Sequence, residues 1–447
     1  MAEMKDSGIH AIGRIPKEWN VVRTKYLSNI SIGLVTTMTE NYVEKEEGVP
    51  LIRNGNIRCN KIDVNGMVFL DKRFAEKNKH RQLHTGQIAT VHTGDVGTSI
   101  VIPEEYDGCL GFATIQSTPY KGVSSDFLCW FYNSAAFKNQ CIECSTGDGR
   151  QNLNLYDFVD LFVAIPKYDL QSKIASFLDK KCAEIDSLHT DIEKQIETLE
   201  EYKKSIITEA VTKGLDPDVE MKDSGIEWIG MIPKNWNVDK IKYHLKRNEL
   251  KNPGNVEVLS VYREYGVIPK NSRDDNHNIT SEDTSKYKYV KKDDLVINKM
   301  KAWQGSMGVS EYEGIVSPAY FIYNFTDNYF DKKYFHFLIR NCYKDEFRRI
   351  SGGIREGQWD LSADLFAKEL VLIPPIKEQI KIVEFLNTKC AEIDGVIVDK
   401  KEQLETLEQY KKSLIYEYVT GKKEVPDYEW NIDWKAVSTF HHGLSKK

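Results

Sequence analysis

The chain has 447 residues, of which 41% are hydrophobic and 29% are charged, a composition typical of a globular protein with several ordinary domains. It contains no apolar run long enough to span a membrane, and its first residues lack the basic start and apolar centre of a signal peptide. We therefore expect a cytoplasmic protein whose eight scattered cysteines are reduced thiols.

The net charge of −6 argues against a uniformly basic surface of the kind that binds nucleic acid. Phosphate contacts come from one face of a protein, however, and a sum over the whole chain hides local charge. Two stretches are locally basic, one with Lys72, Arg73, Lys77, Lys79 and Arg81, the other with Lys286, Lys288, Lys291, Lys292, Lys299 and Lys301. Taken alone, each stretch fits a solvated surface better than a DNA-binding face, so charge weakens a DNA-binding function without excluding it.

A motif near the N-terminus returns once, later in the chain. Residues 4–9 read Met-Lys-Asp-Ser-Gly-Ile and residues 15–21 read Ile-Pro-Lys-Glu-Trp-Asn-Val. Residues 221–226 and 232–238 repeat them 217 positions later with a single substitution. We term each copy the opening motif, and its return indicates an internal repeat of the whole architecture.

The stretches that follow the two opening motifs, 22–164 and 239–372, are unlike each other in sequence. Both read as mixed α/β, with strand-like runs at 51–52, 88–91, 99–102, 295–297 and 320–323 and helix-like segments at 127–139 and 333–350. They share only faint landmarks, a loop rich in Gly, Arg and Gln (147–153 and 352–359) and an Ile-Pro exit (165–166 and 373–374). The connecting segments match while the globular parts differ, which indicates two different domains held in equivalent positions by the same connectors.

After each Ile-Pro exit comes a second repeated segment, with 16 of 26 positions identical between 182–207 and 390–415. Apolar residues at alternating spacings of three and four predict a helix with a coiled-coil seam in each copy. The predicted seam comprises Ile185, Leu188, Ile192, Leu199, Tyr202 and Ile206 in the first copy and Ile393, Val396, Leu407, Tyr410 and Leu414 in the second. Polar Gln195, Lys400 and Gln403 on the same seam are expected to fix its register.

One such helix cannot bury its apolar stripe alone, and both copies lie in one chain, so an antiparallel intramolecular pair is favoured over a coiled coil between chains. The sequence therefore predicts a mixed α+β protein with a pseudo-twofold internal repeat. Its segments are a globular domain over 1–166, a helix over 167–214, a second globular domain over 215–374, a second helix over 375–421 and a tail over 422–447.

This tandem pattern resembles the specificity subunits of Type I restriction–modification systems. The resemblance rests on the paired opening motifs, the Ile-Pro exits and the Ala-Glu-Ile-Asp helices at 183–186 and 391–394, and it covers nearly the whole chain. The blocks at 295–305 and 314–320 also look like recurring parts of the family's recognition domains. The resemblance implies that the globular parts are two target-recognition domains, each reading half of a bipartite site in double-stranded DNA.

The resemblance also implies partners. Two methyltransferase subunits dock on the helices, which set the gap between half-sites, and motor–nuclease subunits complete the restricting complex. S-adenosylmethionine, ATP and Mg²⁺ are expected in those partner subunits, with no cofactor and no metal in this chain.

Sequence motifs for catalysis are missing, which favours a subunit without chemistry over a self-contained duplicated methyltransferase or nuclease. There is no Gly-rich phosphate loop, no His-Glu-x-x-His zinc helix and no Asn-Pro-Pro-aromatic segment. The Cys141-x-x-Cys144 pair lacks a matching second pair and is interpreted as two buried thiols. A coiled-coil scaffold that binds no DNA is a third interpretation, disfavoured by the two large, dissimilar domains.

Candidate DNA contacts are polar side chains in loops that match base edges or phosphates. For any one of them, a role in a turn or on a solvated surface is about as well founded as DNA contact. The candidates in the first domain are Arg53, Asn54, Asn56, Arg58, Lys72, Arg73, His92, Thr93, Arg150 and Gln151; those in the second are Arg263, Lys270, Lys299, Lys301, Gln304, Arg355 and Gln358. Trp303 is interpreted as a core residue.

Overall fold

The structure is a computed structural model that describes residues 3–36, 38–147, 149–254, 256–263, 265–272, 283–353 and 359–426. It divides into two compact units. The first contains the residues up to Glu193 together with those from Lys401 onward, and the second contains Lys194–Lys400. Each unit therefore holds one globular domain and a part of each long helix, a division that differs from the five predicted segments.

The first unit contains a mixed sheet and an antiparallel sheet. Its strands are β1 (Met4–Asp6), β2 (Arg14–Pro16), β3 (Asn20–Arg23), β4 (Ser28–Ile32), β5 (Tyr42–Val43), β6 (Gly48–Arg53), β7 (Ile57–Arg58), β8 (Lys61–Ile62), β9 (Val68–Asp71), β10 (Gln82–Leu83), β11 (Ile88–Val91), β12 (Ser99–Val101), β13 (Cys109–Phe112), β14 (Thr114–Pro119) and β15 (Phe162–Ile165). Its helices are α1 (Lys72–Lys77), α2 (Ser125–Asn133), α3 (Ala135–Cys144), α4 (Leu155–Phe158) and the start of α5 (Tyr168–Lys213).

The mixed sheet has the order β10-β13-β6-β9-β5, and the antiparallel sheet has the order β12-β11-β14-β4. Strand β15 pairs with β3, so the exit from the domain lies beside its entrance. Buried aromatic rings of α2 and α3 pack together beneath the antiparallel sheet, with Tyr132 stacked on Phe137 at 4.3 Å. This packing gives the first domain a core of its own.

The second unit repeats the antiparallel sheet. Its strands are β16 (Met221–Asp223), β17 (Met231–Pro233), β18 (Asn237–Lys240), β19 (Leu245–Arg247), β20 (Leu259–Tyr262), β21 (Gly266–Pro269), β22 (Lys288–Val290), β23 (Leu295–Asn298), β24 (Met307–Val309), β25 (Gly314–Val316), β26 (Tyr320–Phe325), β27 (Ser351–Gly352), β28 (Asp360–Leu361) and β29 (Leu370–Ile373). Its helices are α6 (Lys332–Cys342), α7 (Lys344–Arg349), α8 (Ala363–Phe366) and the start of α9 (Ile376–Val419).

The sheet order β24-β23-β26-β19 matches β12-β11-β14-β4 of the first unit strand for strand, and β29 pairs with β18 as β15 pairs with β3. Two stretches that are unlike in sequence therefore share one framework. The predicted fold, mixed α+β domains with two long antiparallel helices and an internal repeat, is confirmed.

Most predicted elements lie where the sequence placed them, but both predicted domain helices are broken in two. Ser134 separates α2 from α3 because its backbone is extended (φ −78°, ψ 158°). Tyr343 separates α6 from α7, where its buried hydroxyl donates a hydrogen bond to the carbonyl of Leu370 at 2.7 Å. Among the described residues, no helix is long and apolar enough to cross a membrane.

The ends of the long helices pack on the opening motifs. In the first unit, Gly421 (φ +68°) follows α9, and a side chain there would overlap Pro16 and Trp19. In the second unit, Gly214 (φ +78°) follows α5 and approaches Pro233 and Trp236. Both tryptophans are buried, so each glycine ends a helix and also lets it reach an indole.

The two long helices run antiparallel within each unit, and corresponding ion pairs join them. In the first unit, the Asp186 carboxylate accepts hydrogen bonds from Lys411 and from Lys61 of the β8 hairpin, the latter at 2.6 Å. In the second unit, Asp394 accepts from Lys203 at 2.6 Å. Asp186 and Asp394 are equivalent positions of the repeat, and so are Lys203 and Lys411. The same ion pair between the two helices therefore occurs once in each unit.

The predicted seam is wrong by one residue at every second position, where the next residue along the helix faces the partner helix instead. Tyr202 and Val396 were assigned to it, but they are 55% and 44% exposed. Ile196 and Ile397 are buried instead. Both patterns share the positions of Ile185, Ile192, Leu199 and Ile206, and of Ile393, Lys400, Leu407 and Leu414. They differ at the positions between these, where Ile196 and Ile397 face the partner helix in place of Gln195 and Val396.

The two glutamines assigned to the seam also lie on its outer side. Gln195 and Gln403 are exposed, because Ile196 and Leu404 lie on the inner side of the helices. Gln195 nevertheless accepts a hydrogen bond from Lys400 of the facing helix at 2.6 Å. This pair joins the two helices at their edge, where polar groups remain solvated.

Candidate nucleic-acid interface

In the first unit, the loop rich in Gly, Arg and Gln lies against the loop that follows β11. The amide of Leu153 donates to the carbonyl of His92 at 2.9 Å, and the amide of Gly94 donates to the carbonyl of Gln151 at 2.9 Å. The hydroxyl of Thr93 donates to the side-chain oxygen of Asn152 at 3.1 Å. The structure thus brings His92, Thr93 and Gln151 together.

The second unit has the same contact between different side chains. The amide of Leu361 donates to the carbonyl of Lys299, the residue after β23, at 2.9 Å. The Lys299 ammonium group bonds the carboxylate of Asp360 at 2.7 Å. Leu361 and Asp360 occupy the repeat positions of Leu153 and Asn152, so the framework is retained while the polar chemistry changes.

Asn56 is a wrong candidate for DNA contact because it is 1% exposed. Its side-chain oxygen accepts the backbone N–H of Arg53 at 3.1 Å, and its amide donates to the carbonyl of Asp63 at 2.9 Å. Both groups that could read a base are therefore used inside the turn. Asn side chains favour such turns for the same reason that they suit adenine, since they carry a donor and an acceptor side by side.

Asn54 lies beside a cavity of about 300 Å³ that is also lined by Arg58, Thr93, Lys138 and Arg150. Its amide donates to the carbonyl of Thr93 at 3.0 Å, and its buried oxygen has no hydrogen-bond partner among the described residues. Arg150 is exposed at the rim. The cavity is thus polar and placed where the predicted reading loops meet.

The remaining first-unit candidates are distributed around this region. Arg53 donates to the carbonyl of Gly66, and Arg58 forms an ion pair with Asp63 at 3.0 Å. Lys72 and Arg73 are exposed in the first turn of α1. Burial lowers the pKa of His92, whose Nδ1 lies 2.8 Å from the Thr93 hydroxyl, so this imidazole is neutral at pH 7.

In the second unit, the side chain of Arg263 donates to the side-chain oxygen of Gln304, which joins two candidates from separate loops. Lys301 is exposed and Lys270 is partly buried. Arg355 and Gln358 lie outside the described residues. All the DNA-contact assignments other than Asn56 stay predictions.

Sequence reasoning missed an aromatic pair beside these residues. The rings of Trp303 and Trp359 lie 5.5 Å apart, and both side chains are partly exposed, so Trp303 is not a fully buried core residue. The Arg348 guanidinium lies 5.9 Å from the centre of the Trp359 ring. Partly exposed indoles beside cations are a common feature of nucleic-acid interfaces. The available signal was the position of Trp359 as the last residue of the second Gly/Arg/Gln loop.

Several cations at these surfaces are paired with carboxylates, which fits the acidic composition. Arg58 pairs with Asp63, Lys138 with Asp95 and Lys299 with Asp360. At least one side chain of each pair is exposed to solvent, so each pair contributes little to stability and a phosphate can compete for the cation. Among the described residues, no group of His, Cys, Asp or Glu side chains could hold a metal ion.

Comparisons with known proteins agree with this architecture. Residues 16–198 match the family model of the Type I restriction modification DNA specificity domain. The chain is 21% identical to the specificity subunit of the Type I restriction enzyme EcoKI of Escherichia coli, over 95% of this chain and 92% of the relative. The predicted resemblance is confirmed. The chain is similar to Type I specificity subunits along nearly its whole length.

Other proteins show the same extent of likeness. The StySPI specificity subunit of Salmonella potsdam is 21% identical, again over 95% of this chain and 92% of its own length. A solved structure of a Type I restriction–modification assembly matches with a TM-score of 0.68 at 12% identity, over 92% of this chain and 99% of the other. The HsdS subunit of Thermoanaerobacter tengcongensis matches with a TM-score of 0.50 at 11% identity, over 92% and 98%.

Proposed function

We propose that this chain is a specificity subunit that reads a bipartite target in double-stranded DNA and carries out no chemistry of its own. Each unit would read one half of the target through the loops that follow β11 and β23 and the loops paired with them. Methylation and cleavage would belong to partner subunits of a Type I restriction–modification complex working in the cytoplasm.

One observation carries this proposal: the two units present different side chains on the same framework. The positions that hold His92 and Asn152 in the first unit hold Lys299 and Asp360 in the second, where the two side chains form an ion pair. Stability alone would not require such divergence at matched loop positions. Two readers of different sequences do require it, because base edges are distinguished by the donors and acceptors that face them.

The first unit has the chemistry for mixed readout. Exposed Arg150 can donate two N–H groups to a guanine or a phosphate, while neutral His92 and Thr93 offer weaker, directional hydrogen bonds. Lys72 and Arg73 on α1 suit phosphate contact. The cation–carboxylate pairs nearby would be exchanged for cation–phosphate pairs on binding, which makes affinity depend steeply on salt.

Partner subunits would dock on the long helices. Tyr202, Val396 and Val398, all in the second unit, expose apolar surface on them. The ion pairs of Asp186 and Asp394 repeat, so the helix pair has the same internal framework in both units, which suits two copies of one methyltransferase subunit. S-adenosylmethionine, ATP and Mg²⁺ would be bound by the methyltransferase and motor–nuclease subunits. The comparisons give no support to the alternative of a self-contained methyltransferase or nuclease.

The test is to map methylated adenines in cells that express this chain together with its methyltransferase subunit. We expect methylation only at sites made of two unlike half-sites separated by a fixed gap. A matched culture expressing the methyltransferase without this chain should show none of those sites. Methylation at a continuous or palindromic site, or the same pattern in the matched culture, would contradict the proposal.

A further inference from the structure

Arg340 on α6 reaches beneath the hairpin formed by β20 and β21. Its Nη2 donates a hydrogen bond to the backbone carbonyl of Arg263, in the turn of that hairpin, at 2.5 Å. Its Nη1 is buried and has no hydrogen-bond partner among the described residues. This guanidinium therefore holds the hairpin turn through one N–H, while another has no partner in the described part of the chain.

The hairpin is shaped to admit this group. Gly266, at φ +71°, leaves space that any side chain would fill, because a Cβ there would overlap Nη1 of Arg340. Burial lowers the pKa of Arg340, and no ion pair with a carboxylate is found for it among the described residues. Burial and, secondarily, the charge of Arg340 lower the pKa of His336 to about 4, so this neighbour is neutral at pH 7.

Burying a charged guanidinium costs free energy, and Arg340 uses its buried position to restrain the hairpin turn. The backbone of Arg263 is held by Arg340, and the Arg263 side chain is held by the oxygen of Gln304. Gln304 lies in a short helical turn closed by Gly305 in the left-handed conformation.

We propose that Arg263 reads a guanine in the half-site of the second unit and that Arg340 is a positioning residue for it. A guanidinium has five N–H groups, so the one given to Gln304 leaves others to bond O6 and N7 of guanine. Gln304 and Arg340 fix the orientation of the Arg263 guanidinium in the absence of DNA. This inference rests on the proposed function.

The experiment measures the affinity of the chain, purified with its methyltransferase subunit, for its mapped target. Each guanine of the second half-site is replaced in turn by 7-deazaguanine, which lacks the N7 acceptor. At one guanine the wild-type complex should bind about tenfold more weakly after replacement. Arg263→Ala should weaken binding to the natural target and abolish the effect of that replacement.

Arg340→Met should reduce the effect of the replacement while the salt dependence of binding stays unchanged, since Arg340 touches no DNA. Lys333→Met is the matched control, because Lys333 is an exposed cation of the same helix and should leave the effect intact. A purely structural role of Arg340 would weaken binding to natural and replaced DNA equally.

The proposal is overturned if no guanine of the second half-site shows the effect, if that half-site contains no guanine, or if Arg263→Ala retains the full effect. Arg263 is exposed, so that variant tests the proposal even if Arg340→Met does not fold. Wild-type complex that binds the mapped target no better than unrelated DNA would refute the proposed function itself, which is a different result.

Discussion

Replacing Leu407 by Asp should destabilise the first unit severely. Leu407 is 0% exposed in the helix pair of that unit. Truncating a buried leucine alone costs about 2–5 kcal/mol, and placing a carboxyl group without a partner in the same space costs about 1–3 kcal/mol more. The sum, roughly 3–8 kcal/mol, is comparable to the whole stability of an ordinary domain, about 5–15 kcal/mol.

The assay is urea unfolding followed by circular dichroism, with hydrogen exchange to locate the change. Tyr202→Asp is the control, since Tyr202 belongs to the predicted seam but is 55% exposed. This control should change the free energy of unfolding by less than about 0.5 kcal/mol and should instead weaken binding of the methyltransferase subunit. Equal destabilisation by the two substitutions would refute the observed helix packing.

Three further predictions concern assembly, pH and chemistry. A half-chain ending at Asp216 should form a twofold dimer by light scattering, with Asp186 bonded to the second copy's Lys203, and a soluble monomer would contradict this pairing. The free energy of unfolding should fall by up to about 3 kcal/mol as pH drops from 6.5 to 4. In this range His336 is protonated in the unfolded chain but stays neutral in the folded one, because burial lowers its pKa to about 4. His336→Phe should flatten this pH dependence in denaturation curves. The purified chain alone should bind no S-adenosylmethionine by calorimetry, and measurable binding would count against a subunit without chemistry.

The sequence predicted the long helices because their signal is local. A period of three and four residues identifies a helix and its buried side to within one residue. The error at Tyr202 and Val396 arises because two neighbouring stripes share half of their positions. Only the middle of each helix distinguishes the stripes, because Ile196 and Leu404 stand next to Gln195 and Gln403 there. At the other differing positions the predicted stripe is about as apolar as the observed one or more so, and the sequence therefore favoured it.

The shared sheet order of the two domains was not predictable in the same way. Strand pairing is non-local, and the two domains preserve it with different residues on β11 and β23. Asn56 shows a related difficulty, because the donor and acceptor that suit a base also suit a turn. Arg340 was missed because its role depends on a hairpin that is distant in sequence.

The most direct test of the central claim is a domain exchange. Residues 22–164 would be replaced by the first domain of a known Type I specificity subunit, and methylated sites would be mapped in cells that also express the methyltransferase subunit. The account predicts that one half-site changes while the other half-site and the gap stay the same. A change in both half-sites, or in neither, would contradict the claim that each unit reads its own half of the target.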